Sequence, residues 1–155
     1  MTYRIEGLAP QAFRPLFEMS EEALAERGAR RVVADAPTGF PCRVSLQDAA
    51  PGEALVLVHH VSHDVPTPFR SAYAIYVREA AESPAVFEDE TPDYLERRTL
   101  GLRGFDSEGM LKDALIALPG EADARIRALL ERPDIASIHA HNAAQGCFLA
   151  RIERN

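Results

Sequence analysis

A chain of 155 residues with 46% apolar and 26% charged side chains is an ordinary globule of one domain's length, and no second domain is expected within residues 1–155. The formal charge of −7 argues against nucleic acid or an anionic membrane as partner, because phosphate binding needs a positive face. No apolar run reaches the ~20 residues of a membrane-spanning helix, and Met1 is not followed by a leader-like segment, so a bacterial-type cytoplasm with Cys42 and Cys147 as reduced thiols is expected.

In chain order, Tyr3 and Ile5 before the turn at Gly7 read as a first strand. Pro10 opens a helical stretch that Pro15 keeps short, with Phe13, Leu16 and Phe17 on one face. Ser20 with Glu21 and Glu22 forms an N-cap and an acidic first turn, and Gly28 closes that second short helix. The whole N-terminal unit is expected to cover one face of a sheet.

Arg30 to Ala34 reads as a strand, broken at Ala36-Pro37-Thr38-Gly39. From Pro41, the apolar Cys42, Val44 and Leu46 alternate with Arg43 and Ser45, which predicts a strand with Cys42 on the core face. Ala54 to Val58 is apolar throughout, the pattern of a strand covered on both faces. After the proline-punctuated Asp64 to Pro68, Tyr73, Ile75 and Val77 alternate again.

Ala80 to Glu90 is acidic and irregular, and Thr91-Pro92-Asp93 reads as the start of one helical turn. Arg98 to Phe105 and Met110 to Leu118 form a hairpin, and Glu121 to Glu131 the clearest helix. Ile135 to His141 and Cys147 to Glu153 make a last pair of strands around Asn142 to Gly146. The sum is an α+β domain with about nine short strands and three or four short helices; the tight turns between them demand a mainly antiparallel, curved sheet.

No catalytic or cofactor motif is complete, so neither an enzymatic class nor a cofactor is assigned from the residues. Three constellations carry what chemistry there is. His139 and His141 share a strand face, and a five-residue loop would set Cys147 across from His141, giving a partial zinc-type shell of two imidazoles and a thiolate. His59 and His63, of equal parity on a continued strand, could add to it; a register shift of one residue would break the pattern.

Cys42 as a nucleophile beside a histidine is the second, but alternation puts it among core residues and sends Arg43 to the other face. The third consists of Arg43, Arg70, Tyr73 and Asn142, polar groups at predicted strand ends or loops, of which Arg70 could clamp a carboxylate or phosphate.

The run Phe40-Pro41-Cys42-Arg43-Val44-Ser45-Leu46, the segment Pro68-Phe69-Arg70-Ser71-Ala72-Tyr73 leading into Ile75-Tyr76-Val77-Arg78-Glu79, and the ending Gly146-Cys147-Phe148-Leu149-Ala150-Arg151-Ile152 resemble a small bacterial family, domain of unknown function 1203. The resemblance implies a single bacterial domain and carries no activity, cofactor or catalytic residue with it. Two readings therefore stand. One is a small-molecule-binding or enzymatic domain with a polar site between the 59–70 loop (His59, His63, Arg70, with Tyr73) and the 139–147 hairpin (Asn142). The other is a non-catalytic interaction domain that pairs as a homodimer.

Overall fold

The computed structural model describes all residues 1–155. Its strands in chain order are β1 (Tyr3–Glu6), β2 (Ala29–Val33), β3 (Pro41–Cys42), β4 (Gln47–Asp48), β5 (Ala54–His63), β6 (Ser71–Arg78), β7 (Val86–Glu88), β8 (Leu100–Phe105), β9 (Leu111–Ala117), β10 (Ser137–Asn142) and β11 (Phe148–Arg154). Three short α-helices intervene, α1 (Glu21–Glu26), α2 (Asp93–Glu96) and α3 (Ala122–Leu130), with 3-10 turns at Pro10–Ala12 and Arg14–Glu18. The class is α+β, with one six-stranded sheet, β7-β1-β11-β10-β8-β9, and one five-stranded sheet, β2-β5-β6-β3-β4. All pairings are antiparallel except the single parallel bridge between Cys42 and Tyr76.

Nine strands in one curved sheet become eleven in two, for identifiable reasons. The expected strand over 41–46 is two two-residue strands around a turn at 43–46, where Leu46 takes the left-handed φ of 49° and its amide bonds back to the Cys42 carbonyl. The apolar alternation there reflects burial of a turn, since Cys42, Arg43 and Val44 are all at most 1% exposed. The acidic segment before residue 90 hides β7, a three-residue edge strand on β1.

Each sheet has its own core. Over the six-stranded sheet, Ile126, Leu129 and Leu130 of α3 pack with Leu100, Leu102, Ile138 and Ile152. Over the five-stranded sheet, Phe13, Leu16 and Leu24 of the N-terminal unit cover Val56, Val58, Ile75 and Val77, so this unit is the lid its sequence predicts. The Ser20 hydroxyl accepts from the Ala23 amide at 3.1 Å and caps α1 as expected. The opposite side of β5 packs Leu55 against Ala34 and Ala49, which is why the first half of that strand, Ala54 to Val58, is apolar throughout.

The 43–46 turn joins the two sheets. The Ala85 amide donates to the Val44 carbonyl, Gly7 donates to the Ala85 carbonyl, and Leu8 donates to the Arg43 carbonyl at 2.8 Å. This places β1's end so close to the turn that a Cβ on Gly7 would lie 1.9 Å from the Val44 carbonyl oxygen. Backbone cannot yield as a flexible side chain can. Gly7→Ala is therefore expected to cost roughly 2–4 kcal/mol in urea-unfolding free energy, and Gly101→Ala, with open space around its Cβ, under about 1 kcal/mol.

Candidate functional site

Because the 43–46 segment turns, Arg43 does not point away from the core. Its side chain is buried between the sheets, where Nε donates to the Phe148 carbonyl at 2.7 Å and Nη1 to the Pro41 carbonyl at 2.6 Å. No carboxylate lies within ion-pair distance of it, and Nη2 donates to no protein acceptor. Arg43 forms part of the wall of a cleft of about 640 Å³.

Three segments build the rest of that wall. From the five-stranded sheet come Leu57, Tyr73 and Tyr76. The end of α2 supplies Arg97 and Arg98; both pair with Asp48, whose side chain is 4% exposed, and the Arg98 guanidinium also stacks 4.7 Å above the Tyr94 ring. The β10–β11 hairpin supplies Asn142, Gln145 and Cys147. The Asn142 side-chain oxygen accepts from the Ala144 amide at 3.1 Å, which fixes the hairpin tip. The wall holds three guanidinium groups and the Asp48 carboxylate, and Arg97 pairs outside the cleft with Asp93 at 3.7 Å, so Arg43 is the one cation of the wall with no carboxylate partner. Chemically, such a wall can receive an anion at Arg43 and Arg97 and an apolar ring against the two tyrosines.

Behind the cleft lies a layer of aromatic and imidazole rings. Tyr73 stands edge-on to His141 at 5.0 Å and accepts from Arg103 at 2.8 Å through its hydroxyl. His139 lies 6.4 Å from His141 in near-parallel planes, and His63 meets His139 edge-on at 4.9 Å. Phe105 and Phe148 fill the remaining sides. His63 bonds the Gly109 carbonyl through Nε2 at 3.0 Å and His141 the Gly146 carbonyl through Nδ1 at 2.9 Å, so each imidazole donates there. His139 Nε2 is buried without a partner.

The expected zinc-type cluster is not assembled. His139 and His141 do share a face, but a bulge after Ala140 sets His141 opposite Phe148 and His139 opposite Arg151. Phe148 thus occupies the position expected of Cys147, whose side chain instead lines the cleft. No three His, Cys, Asp or Glu side chains are arranged to hold a metal. His59 and His63 separate as well, because β5 shifts register between Val61 and His63: His63 turns inward and His59 stays exposed. Arg70 forms a surface ion pair with Asp64 at 3.0 Å, away from the cleft. Of the sequence candidates, Tyr73, Asn142 and Arg43 meet in the cleft and Cys147 joins them.

Arg97, Arg98 and Asp48 escape a sequence reading, since adjacent arginines after a helical turn look like solvent-facing charge. The one available signal is the Arg-Arg pair directly before a buried strand, where the chain cannot keep both side chains in solvent.

Burial pushes the His139 imidazole down to about 3 and His141 down to about 4, with His63, Arg151 and Arg103 adding repulsion at His139 and Arg103, Arg43 and His63 at His141. Burial also lowers His60, which packs on Phe13. These bases are neutral when folded, while the unfolded chain takes up their protons as pH falls through about 6.5. The stability this neutrality preserves is present above that pH and is lost as pH drops toward 4. The unfolding free energy is expected to fall between pH 6.5 and 5 with a slope approaching 1.4 kcal/mol per pH unit for each such histidine. Urea titrations across that range check it, and His139→Leu is expected to remove about one proton's worth of slope.

The family model described as protein of unknown function (DUF1203) matches residues 39–154, a span holding every cleft residue except Thr38. No curated protein and no solved structure matches the chain. By that match, which covers most of its length, the chain belongs to the DUF1203 family.

Proposed function

We propose that this protein binds a small amphipathic organic anion, a carboxylate or phosphate ester with a flat apolar body, in the cleft between its sheets. The observation that carries this reading is Arg43: a buried guanidinium with no carboxylate partner and one terminal nitrogen left over at a cavity wall. An uncompensated buried cation costs several kcal/mol, which a bound anion offsets through charge-assisted hydrogen bonds. Leu57, Tyr73 and Tyr76 supply apolar surface for the ligand body, and Asn142 and Gln145 supply amide groups at the mouth. Two free thiols fit a reducing compartment, so a bacterial cytoplasm belongs to the same proposal.

A second reading rests on a separate feature. Strand β9 is a sheet edge, and Ile116 on it and Leu118 just beyond are both more than half exposed. A second copy pairing along β9 would cover both side chains and make a homodimer. Light scattering after size exclusion tests this, and a monomer at high micromolar concentration ends it.

For the cleft, the probes are phenyl phosphate and benzoate, measured by titration calorimetry against uncharged phenol. The two anions are expected to bind and phenol at least about tenfold more weakly, the effect of losing one charge-assisted contact. Arg97→Gln is expected to weaken the anions by roughly tenfold and leave phenol unchanged. Equal affinity for phenol and phenyl phosphate would sink the reading.

A further inference from the structure

Resting on that reading of the cleft, we propose that Cys147 is a reactive thiol within it, which forms a mixed disulfide with low-molecular-weight disulfides that carry carboxylates. The two cysteines have opposite surroundings. Cys42 is wholly buried among Val44, Val56 and Val77, and its sulfur accepts from the Arg78 and Ser45 amides at 3.3 and 3.5 Å. Cys147 is partly exposed, follows Gly146 (φ 79°) at the start of the return strand, and lines the cleft. Its sulfur makes no hydrogen bond within the protein, and it is a free thiol.

A lone accessible thiol is not a site. What makes this one a site is the buried Arg43, a residue of the same cavity wall whose Nη2 has no acceptor in the protein. Arg98 stands in that wall too. Burial lowers the Arg98 guanidinium from its ordinary value, while the Tyr94 hydroxyl and the Cys147 thiol act against the shift, so thiol and cation are electrostatic neighbours. An entering disulfide with carboxylates would have its charge met by Arg43 and Arg97 and its sulfurs brought to Cys147. Thiol exchange releases a thiolate, and the cations of the wall favour that anionic leaving group.

The step balances without another reactant. Cys147 gives up its proton, its sulfur attacks one sulfur of the incoming disulfide, and the S–S bond of that molecule breaks. One half stays joined to Cys147, and the other leaves as a thiolate and takes the proton. The incoming disulfide is the oxidant: Cys147 is oxidised to the mixed disulfide, and the released half is reduced to a thiol. A second free thiol attacking the adduct reverses the step.

The test follows the native chain by intact mass during incubation with glutathione disulfide or with neutral 2-hydroxyethyl disulfide. One adduct per chain is expected, mapped by peptide mass to Cys147, absent in Cys147→Ser and retained in Cys42→Ser. The rate ratio of anionic to neutral disulfide should exceed that of an unstructured cysteine peptide by about tenfold, the effect of one charge-assisted contact holding the anion beside the thiol. Arg97→Gln and Arg43→Met should lower that ratio, and Arg97→Gln carries the test if Arg43→Met fails to fold. No adduct, or an adduct confined to Cys42, overturns the proposal. A charge-blind rate in protein that still binds phenyl phosphate overturns the thiol assignment and leaves the anion site standing. A charge-blind rate without phosphate binding overturns both.

Discussion

The constraint on which the rest of the structure depends is the burial of Arg43 at the seam between two sheets. A guanidinium moved out of water without a counter-ion is among the more expensive groups a fold can hold. Here the cost is reduced by carbonyls from both sides: Phe148 at the start of β11 in one sheet and Pro41 at the start of β3 in the other. The backbone of the same turn carries the bonds to Leu8 and Ala85. Side chain and main chain thus close one seam, and the turn gives Val44 to one apolar core and Leu46 to the other. Holding the sheets there also fixes the cleft, since Arg43 belongs to its wall.

The histidine layer follows from that choice. Arg43 and Arg103 both face His141, and Arg103 and Arg151 bear on His139. With cations already at the seam and no acid beside the rings, a protonated imidazole would add repulsion in a poorly solvated place. The rings therefore pack neutral, as flat groups among Phe105 and Phe148, with His63 and His141 each satisfied by a backbone carbonyl. What reads in the sequence as a cluster of ligands is, in the fold, mainly an aromatic layer. The same two-residue spacing serves both, because it only places two rings on one strand face.

Local patterns exposed the elements, and long-range geometry set the site. The Ser20 cap, the α3 stripe of Ile126, Leu129 and Leu130, and the alternation in β6 are written in neighbouring residues and were readable. The turn at 43–46 was not, because a buried turn and a buried strand can show the same apolar spacing. Leu46 at positive φ is also unusual for a branched residue, so no turn signal marks it. Cys147 was misplaced by one residue of register, and one residue is enough to move a side chain to the other face. Tyr73, Asn142 and Arg43 stand out in the sequence because loop ends on a sheet gather polar groups, and the fold brings all three to one cleft; Arg97 and Arg98 do not stand out, because Asp48, their partner, lies about fifty residues away.

The charge balance of the whole chain also misleads about the site, for a reason of range. A net −7 spread over the surface acts through solvent and is screened within about 8–10 Å at physiological salt. At long range the molecule repels anions, so the cleft gains little from steering. Inside it, Arg43 is 1% exposed and acts through a medium that screens far less. On the proposed reading, short-range attraction at one wall decides what binds, and long-range repulsion decides only how fast it arrives. An acidic chain and an anion site are compatible on those terms, provided that the cation is buried, as Arg43 is, and not displayed on the surface like Arg70.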